Sequence, residues 1–145
     1  NTVRWAICAH LHRCPHPVLV HTIPSPICNA YYRLAGAKLG KGVQINTINL
    51  NDPSAVTVGD NVVIGGRSVI NGHLVEKGQL VLARVHLEKN CLIGAGTTIQ
   101  PGVRIGEGAV IATNGLVGKW KEIPAGEVWG GLPVKLISKS SDRKA

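Results

Sequence analysis

His73 is the side chain best suited to chemistry in this sequence. An imidazole with an ordinary pKa of ~6.5 can serve as a general base at neutral pH. It follows Ile70 by three residues, where a regular repeat breaks off, so it is expected at a turn that opens to a groove. Loops carried by a rigid scaffold are common seats of function. His86 stands one residue before an aliphatic position of the same repeat, so it should point outward, as a solvated or interface residue. The arm holding Cys8, His10, His12, Cys14 and His16 has zinc-ligating residue types. Its spacing fits no common ribbon or finger, and no metal is expected there. Asn51, Asp52 and Pro53 read first as a turn.

What must position His73 is a six-residue period. Leu39 and Ile45 are six apart; Val58, Ile64 and Ile70 follow, then Val81, Leu87, Ile93, Ile99, Ile105, Ile111, Val117 and Ile123. Glycine recurs one residue later (Gly40, Gly59, Gly65, Gly94, Gly106, Gly118) and three later (Gly42, Gly96, Gly102, Gly108, Gly126). Two residues earlier the side chain is small or β-branched, as at Val62, Ser68, Cys91, Thr97 and Ala109. A helix would need a period of 3.6 and an amphipathic strand a period of 2. A triangular coil explains all three features. Each six-residue unit is one short strand and one turn, and three units close a coil of about 18 residues that stacks on the next. Leu87, Ile105 and Ile123 should form one inward ladder, and Ile93 and Ile111 another.

Composition agrees with narrow, repetitive layers. The 145 residues contain no Phe and no Met, and 18 are Gly. The formal charge of +8 suits a phosphate-bearing ligand. Nothing marks a nucleic-acid fold, and no apolar run reaches the length of a membrane span. Four cysteines without a CxxC pair point to reduced thiols and a cytoplasmic setting. Residues 1–33 hold four prolines and read as an arm or short helices. Residues 34–137 form the repeat domain, and 138–145 a basic polar tail. The arm and the segment after Ile123 are expected to cap the two ends of the coil, because open parallel edges must be covered.

From Leu34 to Ile137 the chain resembles the left-handed parallel β-helix acyltransferases of the hexapeptide-repeat family. Beyond the repeat, the likeness rests on "AVTVGDNVVIGGRSVINGH" (55–73), "CLIGAGTTIQPGVRIGEGAVI" (91–111) and "EIPAGEVWGGLPVKLI" (122–137). The last departs from the family's usual "GNPA" core. "YRLAGAKLGKGV", "NGHLVEKGQL" and "VWGGLP" are further similar to the carboxy-terminal hexapeptide region of polylysine-synthetase-like, nonribosomal-peptide-synthetase-type proteins.

The resemblance implies an all-β fold and transfer of an acetyl group from acetyl-CoA, or another acyl-CoA, to a hydroxyl or amine of a small-molecule acceptor. It casts His73 as the base and Asn46 as the group that orients the acceptor, with Asn49, Asn51 or Asp52 as alternatives. Gly94, Ala95, Ala112 and Thr113 would keep a surface open for the pantetheine arm. Lys119, Lys121 and Lys135 would meet the nucleotide phosphates. Trp120 or Trp129 would cover an adenine or plug the prism, with Trp129 favoured as a core cap. A homotrimer with sites shared between subunits is implied too. Two other readings stand beside it. A γ-type carbonic anhydrase on the same coil needs three zinc-binding histidines, and the repeat holds only His73 and His86. A trimerising scaffold or terminal domain without activity would need no base at all.

Overall fold

The computed structural model describes residues 2–139; of these, the side chains of Thr2, Arg4, Cys8, Ala9, His10 and Arg13 lie outside the described set, as does most of the polar tail. The chain opens with helices α1 (Thr2–Arg13), α2 (His16–Leu19) and α3 (Pro26–Leu34), then winds into a three-sided prism. Ser25 starts α3: its hydroxyl accepts from the Cys28 amide, and Pro26 fills the first turn, where no amide partner is needed.

Three parallel sheets form the sides. Sheet A holds β1 (Lys38–Leu39), β3 (Val56–Val58), β8 (Val85–Leu87), β11 (Arg104–Ile105) and β14 (Glu122–Ile123). Sheet B holds β2 (Gln44–Ile45), β4 (Val63–Ile64), β9 (Leu92–Ile93), β12 (Val110–Ile111) and β15 (Val128–Gly131), with β16 (Val134–Ser138) added antiparallel at its end. Sheet C holds β5 (Val69–Ile70), β10 (Thr98–Ile99) and β13 (Leu116–Val117). The expected ladders are present. Leu87 pairs with Ile105 and Ile105 with Ile123, while Ile93 pairs with Ile111. This is a left-handed parallel β-helix.

One member of the periodic run falls elsewhere. Val81 is not a rung of the prism; it lies in an antiparallel hairpin, β6 (His73–Glu76) and β7 (Gln79–Leu82), where it pairs with Leu74. Its step of six from Leu87 is coincidental. The hairpin turns at Lys77 and Gly78, both at positive φ, as the tight two-residue loops of twisted hairpins require.

The inward positions are sealed. Ile64, Ile70, Ile93, Ile99, Ile105 and Ile111 are fully buried. Small polar residues fill the corners and satisfy their hydroxyls between coils: Thr47 donates to the Ser68 carbonyl, Ser68 to Gly94 and Thr97 to Ala112. Gly94 shows why glycine recurs just after the rungs. A Cβ there would lie 2.5 Å from the Thr113 amide nitrogen, in the backbone of the next coil. Cys91 sits inside another corner, its thiol donating to the Gly106 carbonyl at 3.0 Å. Burial pushes the Cys91 and Cys28 thiols up to about 11, so both stay protonated at neutral pH.

Helix α3 covers the open end of the first coil by occupying its carbonyls. Arg33 donates to Leu39 and Gly40, Asn29 to Val43 and Tyr32 to Thr47. At the other end Trp129 packs against the core and Val134 is buried beneath the β15–β16 hairpin. Because each rung touches only its neighbours, a hole cut mid-ladder cannot be refilled from the side. Ile105→Ala is expected to lower unfolding free energy by about 2–5 kcal/mol, read by denaturant titration.

Candidate active site

The corner between sheets C and A builds the site around His73. The chain leaves β5, passes Asn71 and Gly72, and enters the hairpin at His73, which is half-buried. His73 is therefore the first residue of a strand rather than of a turn. The sequence expectation placed the break correctly, but strand pairing of 73–76 with 79–82 holds the backbone extended.

One coil earlier, Asp52 closes the 50–55 segment before a short 3₁₀ turn (Pro53–Ala55). Its carboxylate is only 6% exposed. Oδ2 lies 2.6 Å from His73 Nδ1 and accepts the Gly72 amide at 2.9 Å. Oδ1 accepts the indole N–H of Trp5, in α1, at 2.9 Å. The Trp5 ring also flanks the imidazole, with centroids 4.6 Å apart. A carboxylate only accepts, so Nδ1 carries the proton in this contact and Nε2 is left as the basic nitrogen. Position 52 was read mainly as part of a turn. No spacing rule joins it to His73, which the coil brings beside it from 21 residues away.

The other expected residues divide between two corners. Asn46 lies in the corner between sheets B and C, where its amide donates to the Ile64 carbonyl. Gly94, Ala95, Ala112 and Thr113 stack in later coils of that corner. Lys119 and Lys121 belong to the His73 corner. Lys119 forms an ion pair with Glu76 on the hairpin, and Lys121 sits 4.6 Å above the Trp129 ring. Trp120 is largely exposed and lies against Gly102. Lys135 is exposed on β16, opposite Gly130. Within the chain sheet C thus separates His73 from Asn46 and the glycine–alanine corner. A cavity of about 510 Å³ beside Asn29, Arg33 and Gln44 lies at the capped end, apart from His73.

His86 points outward on sheet A between Thr57 and Arg104. Its pKa is lowered, first by partial burial and then by the neighbouring guanidinium of Arg104. In the arm, His12 is engaged with Leu50 and Tyr31; Cys8 and His10 lie outside the described side chains. Among the described residues no group of three or more His, Cys, Asp or Glu could hold a metal ion. Cys28 and Cys91 carry free thiols, and no described helix is long and apolar enough to cross a membrane.

Fold and repeat together define a hexapeptide-repeat protein, and two stretches of the chain match models of hexapeptide-repeat transferases. The model for the bacterial transferase hexapeptide (six repeats) matches residues 84–119, and that for the hexapeptide repeat of succinyl-transferase matches 55–78. Galactoside O-acetyltransferase of Escherichia coli is 31% identical over 113 residues, 72% of this chain and 55% of that protein. Delta-poly-L-ornithine synthetase of Acinetobacter baumannii is 29% identical over 78% of this chain and 8% of its own length. Gamma carbonic anhydrase 2 of Arabidopsis thaliana mitochondria is 33% identical over 72% of this chain and 36% of its own. The chain thus spans little more than half of these relatives at most. Among solved structures, a hexapeptide-repeat acetyltransferase from Vibrio cholerae superposes with a TM-score of 0.67, at 19% identity, over 91% of this chain and 92% of that one.

Proposed function

We propose that this domain transfers an acetyl group from acetyl-CoA to a hydroxyl or amine of a small acceptor, with His73 as the general base. The observation that carries this reading is the Asp52–His73 pair, which fixes Nδ1 at 2.6 Å and leaves Nε2 basic. Galactoside O-acetyltransferase, by its name, performs chemistry of this class. Nε2 takes the acceptor proton as the acceptor oxygen or nitrogen attacks the thioester carbonyl. The new bond gives a tetrahedral oxyanion that a backbone N–H can stabilise. Collapse breaks the C–S bond, and the proton on the imidazolium passes to the departing thiolate. Asp52 keeps the imidazole in the tautomer that makes this possible and stabilises the imidazolium.

The division of residues between corners supports a homotrimer with shared sites. Face A is charged outward, with Lys38, His86, Arg104 and Glu122. Faces B and C are mostly apolar outward, with Val63, Leu92, Val110 and Val128 beside Gln44 on one and Val69 and Leu116 beside Thr98 on the other. Burying both apolar faces between subunits removes that surface from water. A shared site would further require the Asn46 corner of one subunit to meet the His73 corner of its neighbour. Gly94, Ala95, Ala112 and Thr113 would then line the pantetheine path, with Lys119, Lys121 and Lys135 near the phosphates. Lys119 would exchange Glu76 for a phosphate. The free thiols of Cys28 and Cys91 fit a cytoplasmic setting.

The test is calorimetric titration with acetyl-CoA, followed by thiol release across a panel of sugar, amino-acid and peptide-amine acceptors. Binding with acceptor-dependent release of CoA is expected. Absence of binding at millimolar acetyl-CoA would leave a non-catalytic trimeric scaffold as the better account.

A further inference from the structure

Helix α1 touches the segment that carries Asp52 at two places. Trp5 donates its indole N–H to Asp52 Oδ1. Two turns further on, His12 is buried, and its Nε2 lies 2.9 Å from the carbonyl of Leu50. A carbonyl only accepts, so Nε2 is the donor, and Nδ1 faces the Tyr31 hydroxyl of α3. The helix is thereby anchored to coil and cap at once, and the indole is delivered to a fixed place.

We propose that Trp5 is a positioning residue for the catalytic pair, holding Asp52 by its free oxygen so that the other oxygen faces His73. This rests on the reading of His73 as the base. The chemistry behind it is directional. A carboxylate with one oxygen on Nδ1 and on the Gly72 amide can still turn about its side-chain torsion. The indole N–H on Oδ1 removes that freedom, and the ring against the imidazole limits its tilt. The space between α1 and the 51–54 segment is only about 50 Å³, too small for an acceptor. In this proposal the indole acts through Asp52 rather than on the substrate. The amino-terminal helix is accordingly part of the site, although it lies outside the repeat.

The test compares the full chain with Trp5→Phe and with a variant carrying the benzothiophene isostere of tryptophan at position 5. The first keeps a ring but loses the donor and part of the aromatic surface; the second keeps the whole shape and loses only the donor. Two readouts are taken: the ¹⁵N shifts of the His73 ring, which report its tautomer without any substrate, and the split between kcat and KM. Both variants are expected to mix the His73 tautomers. They should lose about tenfold in kcat, with KM for acetyl-CoA within twofold. An unchanged tautomer and kcat in the isostere would overturn the proposal even if Trp5→Phe folds poorly. If the unsubstituted chain acetylates nothing, the transferase reading falls, and the nitrogen spectrum still decides whether Trp5 holds the pair.

Discussion

His73→Ala is expected to lower kcat for acetyl transfer by about 10³-fold while leaving acetyl-CoA binding within twofold. The acceptor hydroxyl or amine must lose a proton as it becomes a nucleophile, and Nε2 is the basic nitrogen that the Asp52 contact leaves available. A methyl group in its place supplies no base, and water must take the proton instead. The donor is held elsewhere in the proposed site, along the Gly94 and Ala112 corner, so its affinity is a separate quantity. Single-turnover CoA release together with calorimetry reads both terms. A variant as active as the parent would remove His73 from the mechanism. Weakened binding with unchanged kcat would make it a binding group.

Asp52→Asn is expected to cost roughly 10²–10³-fold in kcat, for a different reason. The amide is nearly isosteric, so the fold should survive. Its oxygen can still accept from Gly72 or Trp5, but its nitrogen is a donor. With the amide nitrogen turned toward Nδ1, the imidazole must accept there and carry its proton on Nε2, where it no longer acts as a base. Turning the amide the other way points its N–H₂ at the Trp5 indole, donor against donor. Either choice leaves one contact of the buried 52 position unmade. The measurement is kcat alongside thermal unfolding. A large fall in kcat with a loss of stability of only about 1–3 kcal/mol is the expected pattern, and equal activity would show that the tautomer is fixed by something else.

The two levels of the structure differ in how legible they are. The prism is written locally. Each rung, each tight glycine and each small corner residue recurs at a fixed offset, so Leu87, Ile105 and Ile123 can be stacked from the sequence alone. Val81 shows the limit of that signal, since an aliphatic residue in step with the period can belong to a hairpin. The site is written in contacts the period does not encode. Trp5 meets Asp52 from 47 residues away, and Asp52 meets His73 from 21. A tryptophan in a proline-broken arm and an aspartate before a proline each have an ordinary local explanation. Only the docking of α1 on the first coil turns them into a chain of contacts. His73 itself was findable because the period stops beside it. Lys119 was findable as a charge, while its ion pair with Glu76 depends on how far the hairpin reaches along the prism.

The hairpin has a further consequence for how such a protein can change over time. It enters and leaves the prism at nearly one point, where the Ala83 amide bonds the Gly72 carbonyl at 2.9 Å. The rungs on either side ignore it: Val58 still pairs with Leu87, Ile64 with Ile93 and Ile70 with Ile99. Mutation can therefore lengthen, shorten or replace the part of this excursion beyond His73 without shifting a single contact in the core. Selection on the hairpin and selection on folding then act on separate stretches of the same gene, and one can drift while the other is held.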